Sequence, residues 1–195
     1  MIPIPPHIRG LIFDCDGTIA DTMAAHYRAW VQALGEHGVE FPEAMFYELG
    51  GTPAPRIIEI LNERHRHAMP VMETALYKES LFEKLIPEVL PIEPVVDVIR
   101  EYDGRLPMAV ASGGMRHIVT RTLAAIGVLD RFQAVVTCED VKHGKPAPDI
   151  FLEAARRLGV EPTLCLAFED ANLGVQAAEA AGMKVIDVRK LPKHA

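Results

Sequence analysis

Apolar residues recur at helical spacing over much of the first half of the chain, except in one short segment near its start. Leu11, Ile12 and Phe13 form a continuous apolar run that ends abruptly in polar residues, which is typical of a buried strand. The helical repeat that comes afterwards predicts helices over residues 25–34, 43–49, 56–66 and 71–86. About seventy residues therefore pass without a strand, which indicates a helical insertion after the first strand.

From residue 94 onward, strands and helices alternate. Strands are predicted over 108–111, 132–136, 164–168 and 184–188, and helices over 115–126, 149–158 and 171–181. Glycine follows each of these helices, where it ends a helix at little conformational cost. Such alternation predicts an α/β fold with a doubly wound, Rossmann-like parallel sheet. We expect a core domain of residues 1–22 and 94–195, into which a small helical cap domain, residues 23–93, is inserted.

Composition and charge exclude several classes of protein. The chain has 195 residues and a net charge of -7, which argues against a surface for nucleic acid or for an anionic membrane. Three cysteines without metal-binding spacing, Cys15, Cys138 and Cys165, are expected to be reduced core residues. The chain has no apolar run long enough to span a bilayer and no recognisable signal peptide. We expect a cytoplasmic monomer that acts on a small molecule.

Two carboxylates follow the first strand. Asp14 and Asp16 stand two residues apart, so in an extended chain their side chains lie on the same side. Such close carboxylates repel each other unless a cation lies between them. Mg²⁺ is suited to this place, because it prefers oxygen ligands and leaves positions for water and phosphate. A solvated turn is the simpler alternative, but it explains only one of the two carboxylates well.

Three further strand ends carry polar groups. Ser112, Gly113 and Gly114 follow the predicted strand 108–111 and offer a hydroxyl and free amides to an anion, although Ser112 alone is more typical of a helix cap. Lys145 is followed by Pro146 and Pro148, which stiffen its loop, and an ammonium there can neutralise a phosphate. Glu169 and Asp170 end the strand 164–168 and are suited to a Mg²⁺ site, although acidic residues also begin helices.

The order of these motifs resembles the haloacid dehalogenase superfamily of phosphotransferases, whose first motif is an apolar strand followed by D-x-D-G-[TV]. The resemblance implies that Asp14 is the nucleophile, that Asp16 is the general acid and base, and that Ser112 and Lys145 bind phosphate. It also implies a Mg²⁺ site formed by Asp14, the main-chain carbonyl of Asp16, and Asp170 with Glu169 assisting. The helical insertion resembles the cap of the beta-phosphoglucomutase-like subgroup.

Residues of the cap are expected to select the substrate. By resemblance we place Thr22, His26, Arg56 and Gly113 at the substrate, with His26 linked to proton handling near Asp16. Lys78 is a weaker candidate, because a lysine on a helix more often lies on a solvated face. True mutases of the subgroup place a phosphate-binding arginine near the position of Ala54, and its absence here weakens a mutase hypothesis.

The resulting hypothesis is a Mg²⁺-dependent phosphatase that acts on small sugar phosphates such as fructose 1-phosphate, through an aspartyl-phosphate. The spacing G-[ST]-P-x-x-R and the segments V-K-H-x-K-P-A-P-D and F-E-D-A resemble a branch of bacterial sugar phosphatases that act on fructose 1-phosphate and related esters. One alternative is a beta-phosphoglucomutase. Two others are a phospho-receiver domain, which gives no reason for the helical insertion, and a non-catalytic binding protein, which gives no reason for all four motifs to be present.

Overall fold

Five parallel strands form the centre of the protein in a computed structural model that describes residues 2–191. These five are β1 Gly10–Phe13, β4 Met108–Ala111, β5 Ala134–Val136, β6 Cys165–Glu169 and β7 Lys184–Asp187, and two short strands, β2 Ala20–Asp21 and β3 Leu90–Pro91, form a separate pair. The order in the main sheet is β5-β4-β1-β6-β7, and each neighbouring pair is parallel. The predicted α/β fold with a doubly wound parallel sheet is confirmed.

Eight α-helices accompany the strands within the described residues. They are α1 Met23–Gly35, α2 Glu43–Glu48, α3 Ala54–His65, α4 Val71–Leu85, α5 Glu93–Tyr102, α6 Arg116–Ala125, α7 Asp149–Leu158 and α8 Asn172–Ala180. The first four lie in the region without main-sheet strands, and the other four alternate with β4 to β7.

The continuous apolar character of β1 follows from its central position in the sheet. Leu11 and Phe13 belong to one hydrophobic cluster, whereas Ile12 between them belongs to another on the opposite face. Phe13 stacks on Phe168 of the neighbouring strand β6, with ring centroids 4.6 Å apart. Because both faces are covered, β1 is rigidly held up to the residue at which Asp14 begins the loop.

Helices α1, α3 and α4 pack together in the insertion. A separate hydrophobic cluster, which includes Trp30, Phe41, Phe46 and Leu61, fills the space among these elements. The short strands β2 and β3 pair antiparallel at the two ends of this region, with Ala20 opposite Pro91. We propose that these helices form the cap domain predicted over residues 23–93. Residues 1 and 192–195 of the predicted core domain lie outside the described residues.

Two parts of the fold differ from the expectation. Helix α5 was not predicted, although Val95, Val96, Val98 and Ile99 are buried on its apolar face. The two-residue strands β2 and β3 were not predicted either, because so short a pairing has no periodicity of its own.

Two further expectations concern the cysteines and membrane-spanning helices. Cys15 and Cys165 are buried and Cys138 is half-buried, and all three are free thiols. Within residues 2–191, no helix combines the length and the apolar character needed to cross a membrane.

Candidate active site

The polar groups predicted at four strand ends lie around one cavity. Strands β5, β4, β1 and β6 are consecutive in the sheet and parallel, so their carboxyl ends open onto the same edge. The cavity at this edge has a volume of about 140 Å³. Its core side is lined by Asp14, Asp16, Ser112, Gly113, Gly114, Lys145, Glu169, Asp170 and Ala171.

Lys145 joins two carboxylates in the wall of this cavity. Its Nζ donates to Asp14 Oδ1 at 2.6 Å and to Glu169 Oε1 at 2.7 Å, and all three side chains are buried. Burial lowers the pKa of Lys145, but Asp14 and Glu169 outweigh this and raise it, so the ammonium is retained. No hydrogen bond from residues 2–191 reaches Asp14 Oδ2, which leaves this oxygen available for a ligand.

Glu169 is held by protein groups on both of its oxygens. Oε1 accepts from Lys145, and Oε2 accepts from the main-chain N–H of Ala171 at 2.5 Å. In this conformation both oxygens of Glu169 accept from protein donors, and the carboxylate positions Lys145. Its assistance to a metal ion stays a prediction.

Gly174 makes room for Glu169, and its role was missed from the sequence. A Cβ atom at this position would lie 1.6 Å from Glu169 Oε1. Gly174 lies in helix α8, for which the sequence analysis predicted only a helix over 171–181. A glycine in the first turn of such a helix is the signal that could have indicated this contact.

Asp170 lies against the loop that follows β1. Thr18 Oγ1 donates to Asp170 Oδ1 at 3.2 Å. Gly17 has φ +80°, and a Cβ atom there would lie 2.2 Å from Asp170 Oδ2, so only glycine permits this approach. Burial, followed by the neighbouring Glu169, raises the pKa of Asp170 to about 7.

The charges around Asp14 fit a divalent cation. Asp14, Glu169 and Asp170 supply three carboxylates, whereas Lys145 supplies one ammonium. Burial raises the pKa of Asp14 well above its ordinary value, with Lys145 opposing and Glu169 adding to the effect. Within residues 2–191, no group of three His, Cys, Asp or Glu side chains forms a metal cage. A Mg²⁺ site needs only one or two carboxylates, however, with the other positions filled by carbonyl, water and phosphate oxygens.

Asp16 is held by two residues on the opposite side of the cavity. Its Oδ1 accepts from Thr22 Oγ1 at 2.8 Å and contacts His26 Nε2 at 3.1 Å. Burial raises the pKa of Asp16, but His26 and Thr22 outweigh this and lower it. Thr22 is fully buried and does not line the cavity, so it contacts Asp16 and not the space where a substrate would lie.

Lys78 determines which nitrogen of His26 carries the proton. Lys78 Nζ lies 2.8 Å from His26 Nδ1 and 3.1 Å from Glu79 Oε1. Because an ammonium can only donate, Nδ1 accepts and Nε2–H donates to Asp16. Burial, and then the charge of Lys78, lowers the pKa of His26, which keeps the imidazole neutral. The ring also stacks on Phe82, with centroids 3.6 Å apart.

The buried position of Lys78 corrects the expectation of a solvated helix face. Lys78 lies in the stripe of buried residues along α4, together with Thr74, Ala75, Leu81 and Phe82. A lysine inside an apolar helical stripe is a signal that the sequence contains. Glu79, which lines the cavity beside it, was missed altogether.

The segment after β4 supplies the amide groups expected there. Ser112 Oγ accepts from the N–H of Gly114 at 3.1 Å, so its own hydrogen is free to donate to a ligand. Helix α6 begins only at Arg116 and has no side-chain cap. Ser112 therefore does not cap this helix, which was the simpler interpretation of its position in the sequence. Gly113 lines the cavity as expected.

Arg56 does not line the cavity, so this conformation does not bring the predicted substrate-binding residue to the other site residues. Its guanidinium is exposed and donates to Glu59 Oε2 at 2.9 Å and Glu63 Oε1 at 3.3 Å. The side chain therefore supports the outer face of α3. The neighbouring Ala54 lines the cavity instead.

Comparisons with known proteins agree with this geometry. The haloacid dehalogenase-like hydrolase family profile matches residues 11–188. The fructose-1-phosphate phosphatase YqaB of Escherichia coli (strain K12) is 44% identical over 183 residues, covering 93% of this chain and 97% of that protein. The beta-phosphoglucomutase of Bacillus subtilis (strain 168) is 29% identical over 192 residues, covering 93% of this chain and 83% of that protein.

A solved structure shows the same fold. CbbY from Rhodobacter sphaeroides, crystallised in complex with phosphate, superposes with a TM-score of 0.81 at 26% identity, covering 95% of this chain and 90% of that chain. The predicted resemblance and the prediction of a hydrolytic enzyme are confirmed. The profile match over most of the chain, together with the 44% identical relative, shows that this protein belongs to the haloacid dehalogenase-like hydrolase family.

Proposed function

We propose that the protein is a Mg²⁺-dependent phosphatase that hydrolyses small sugar phosphates, of which fructose 1-phosphate is the model. The observation that carries this proposal is the arrangement of Asp14, Asp16 and Lys145 around one cavity, with one oxygen of Asp14 left unbonded by the described residues. The 44% identity to a protein named as a fructose-1-phosphate phosphatase supports the class of substrate.

The first chemical step transfers the phosphoryl group to Asp14. Asp14 Oδ2 attacks phosphorus in line, and the bond to the sugar oxygen breaks. The departing alkoxide takes a proton from Asp16, which must be protonated in the substrate complex although His26 and Thr22 lower its pKa in this conformation. Lys145, the Ser112 hydroxyl and the Gly113 and Gly114 amides offset negative charge on the phosphoryl oxygens. Ser112, Gly113 and Gly114 directly follow strand β4, and Asp14 and Glu169 hold Lys145 at the same edge of the sheet.

The second step releases phosphate and restores the enzyme. Asp16, left ionised by the first step, removes a proton from water, which attacks the aspartyl-phosphate. Asp16 Oδ2 is the oxygen suited to both transfers, because Oδ1 is occupied by Thr22 and His26. His26 and Thr22 are therefore positioning residues.

Mg²⁺ would be held by Asp14, Asp170 and the main-chain carbonyl of Asp16. When bound, the ion balances the excess carboxylate charge and keeps Asp14 ionised against the burial that raises its pKa. Asp170 would be ionised in the same way.

The helical insertion would exclude water during the reaction. Trp30, Phe46, Leu49 and Ile57 contribute apolar side chains to the cavity wall. The cap domain over 23–93, a cytoplasmic location and a monomeric state stay predictions from the sequence.

A mutase is less well supported, because it must hold a second phosphate on the side of the insertion. Arg56 is directed to Glu59 and Glu63, and Ala54 lines the cavity. Phosphate release is therefore favoured over isomerisation.

The test follows two products at once. The purified protein is incubated with Mg²⁺ and hexose phosphates, including fructose 1-phosphate and beta-glucose 1-phosphate, while free phosphate and glucose 6-phosphate are measured separately. We expect phosphate release that chelation abolishes and Mg²⁺ restores. Asp14→Asn should lower it by about 10³-fold or more, whereas Asp97→Asn, at an exposed aspartate on α5, should not. Glucose 6-phosphate without phosphate release would contradict the proposal.

A further inference from the structure

The helical insertion contributes almost no free positive charge to the cavity. Its charged lining residues are Lys78 and Glu79, beside the neutral His26. The rest of its lining is apolar or uncharged: Met23, Trp30, Phe46, Leu49, Gly50, Gly51, Thr52, Pro53, Ala54 and Ile57. Arginine is absent from the cavity wall formed by residues 2–191.

Lys78 is not available to bind an anion. Its ammonium is 4% exposed and is shared between His26 Nδ1 at 2.8 Å and Glu79 Oε1 at 3.1 Å. The Lys78–Glu79 pair therefore carries no net charge. A second phosphate, with a charge of about -2 at pH 7, would meet a carboxylate and no unpaired cation on this side.

Glu79 has an oxygen free to accept a hydrogen bond. The carboxylate is 14% exposed, Oε1 is occupied by Lys78, and no residue in 2–191 donates to Oε2. A carboxylate oxygen at a cavity wall accepts from hydroxyl groups, which a sugar carries at several positions. A partly buried acceptor of this kind discriminates strongly against a group that cannot donate.

We propose that Glu79 determines the specificity of this site. Its carboxylate accepts a hydrogen bond from a hydroxyl group of the sugar, and its negative charge excludes a second phosphate. The substrates are therefore monophosphates of sugars that carry no other charged group. This assignment rests on the function proposed above, and it adds the class of substrate and the residue that selects it. Glu79 acts by attraction toward the hydroxyl and by repulsion of the anion.

The test compares two substrates that differ only in a second phosphate. Fructose 1-phosphate and fructose 1,6-bisphosphate are assayed for phosphate release, and the ratio of their kcat/KM values is the readout. We expect the wild-type enzyme to prefer the monophosphate. Glu79→Gln should lower this ratio by about tenfold or more, because it weakens the acceptor, removes the repulsion and frees Lys78. Glu79→Asp, which keeps the charge, should hold the ratio within about threefold.

The control tests whether the loss of a negative charge elsewhere on α4 also changes the ratio of kcat/KM values. Glu73→Gln makes the same change of charge at an exposed position on the same helix, and it should leave the ratio unaltered. A similar change in Glu73→Gln, an unchanged ratio in Glu79→Gln, or a wild-type preference for the bisphosphate would overturn the assignment. Glu79→Met is the second variant if near-UV circular dichroism shows that the glutamine variant is misfolded.

Binding separates this proposal from the proposed function. Calorimetry with the same two ligands on Asp14→Asn, with and without Glu79→Gln, gives a ratio of dissociation constants that needs no turnover. If the wild-type protein released no phosphate but Glu79→Gln still altered the binding ratio by about tenfold, the phosphatase proposal would fail and the role of Glu79 would stand. An unaltered binding ratio would overturn the role of Glu79 whatever the turnover.

Discussion

Replacement of Gly174 by alanine tests how closely helix α8 must approach the active site. In a solvated helix interior this substitution stabilises a protein by about 1 kcal/mol, because alanine has the higher helix propensity. Here the new Cβ would lie 1.6 Å from Glu169 Oε1 and 2.0 Å from its Cδ. Glu169 is buried, and its carboxylate would have to move away from both of its partners to relieve this clash.

The cost follows from the contacts that Glu169 would lose. Lys145 donates to it at 2.7 Å and the Ala171 N–H at 2.5 Å. Breaking a buried charge pair costs about 3–5 kcal/mol, and the lower end applies because Lys145 keeps Asp14. That lower end is about 3 kcal/mol, and after subtraction of about 1 kcal/mol for the gain in helix propensity, Gly174→Ala should destabilise the protein by about 2 kcal/mol.

Urea unfolding followed by circular dichroism measures this difference, with two controls. Gly35→Ala, at the end of α1 where no atom lies within 4 Å of the added Cβ, should be neutral or slightly stabilising. In a Glu169→Ala background the clash is absent, so Gly174→Ala should cost little or stabilise. A Gly174→Ala variant as stable as the wild type, or an equal loss in both backgrounds, would refute the reasoning.

Two further predictions concern carboxylates that accept hydrogen bonds. Burial raises the pKa of Asp140, but hydrogen bonds from Arg157 and Thr137 outweigh it and lower the pKa from 3.8 to about 2. The contribution of Asp140 to stability is therefore present above about pH 4 and is lost as the pH falls toward 2. Asp140→Asn should cost about 1–3 kcal/mol at pH 7 and less at pH 2.5 in thermal unfolding, and equal losses at both pH values would contradict this. Thr22→Val keeps the shape of the buried side chain but removes the hydroxyl that donates to Asp16. The kcat for phosphate release should therefore fall about tenfold, with little change in KM. An unaltered kcat would show that the hydroxyl does not position Asp16.

The core of the site was predictable from the sequence because each group follows a strand. Strands β1, β4 and β6 are recognisable from their apolar runs, and a parallel sheet brings their ends to one edge. Asp14, Ser112 and Glu169 could thus be placed together without knowledge of any distance. Side chains on helices were placed less well. The general preference of lysine for solvated faces was given more weight than the apolar stripe of α4 that contains Lys78, and the periodicity of α3 did not give the direction of Arg56.

The state of Asp16 shows why that missing information matters. His26 and Lys78 are 52 residues apart in the chain, yet their contact of 2.8 Å determines the proton position on the imidazole. Because Lys78 can only donate, His26 must present Nε2–H to Asp16 Oδ1, and Thr22 donates to the same oxygen. Oδ2 is thereby left as the oxygen for proton transfer. In the proposed mechanism the insertion therefore does more than cover the cavity, since it determines which oxygen of Asp16 transfers protons. A variant that displaces α4 should impair phosphate release even if all four strand ends stay intact.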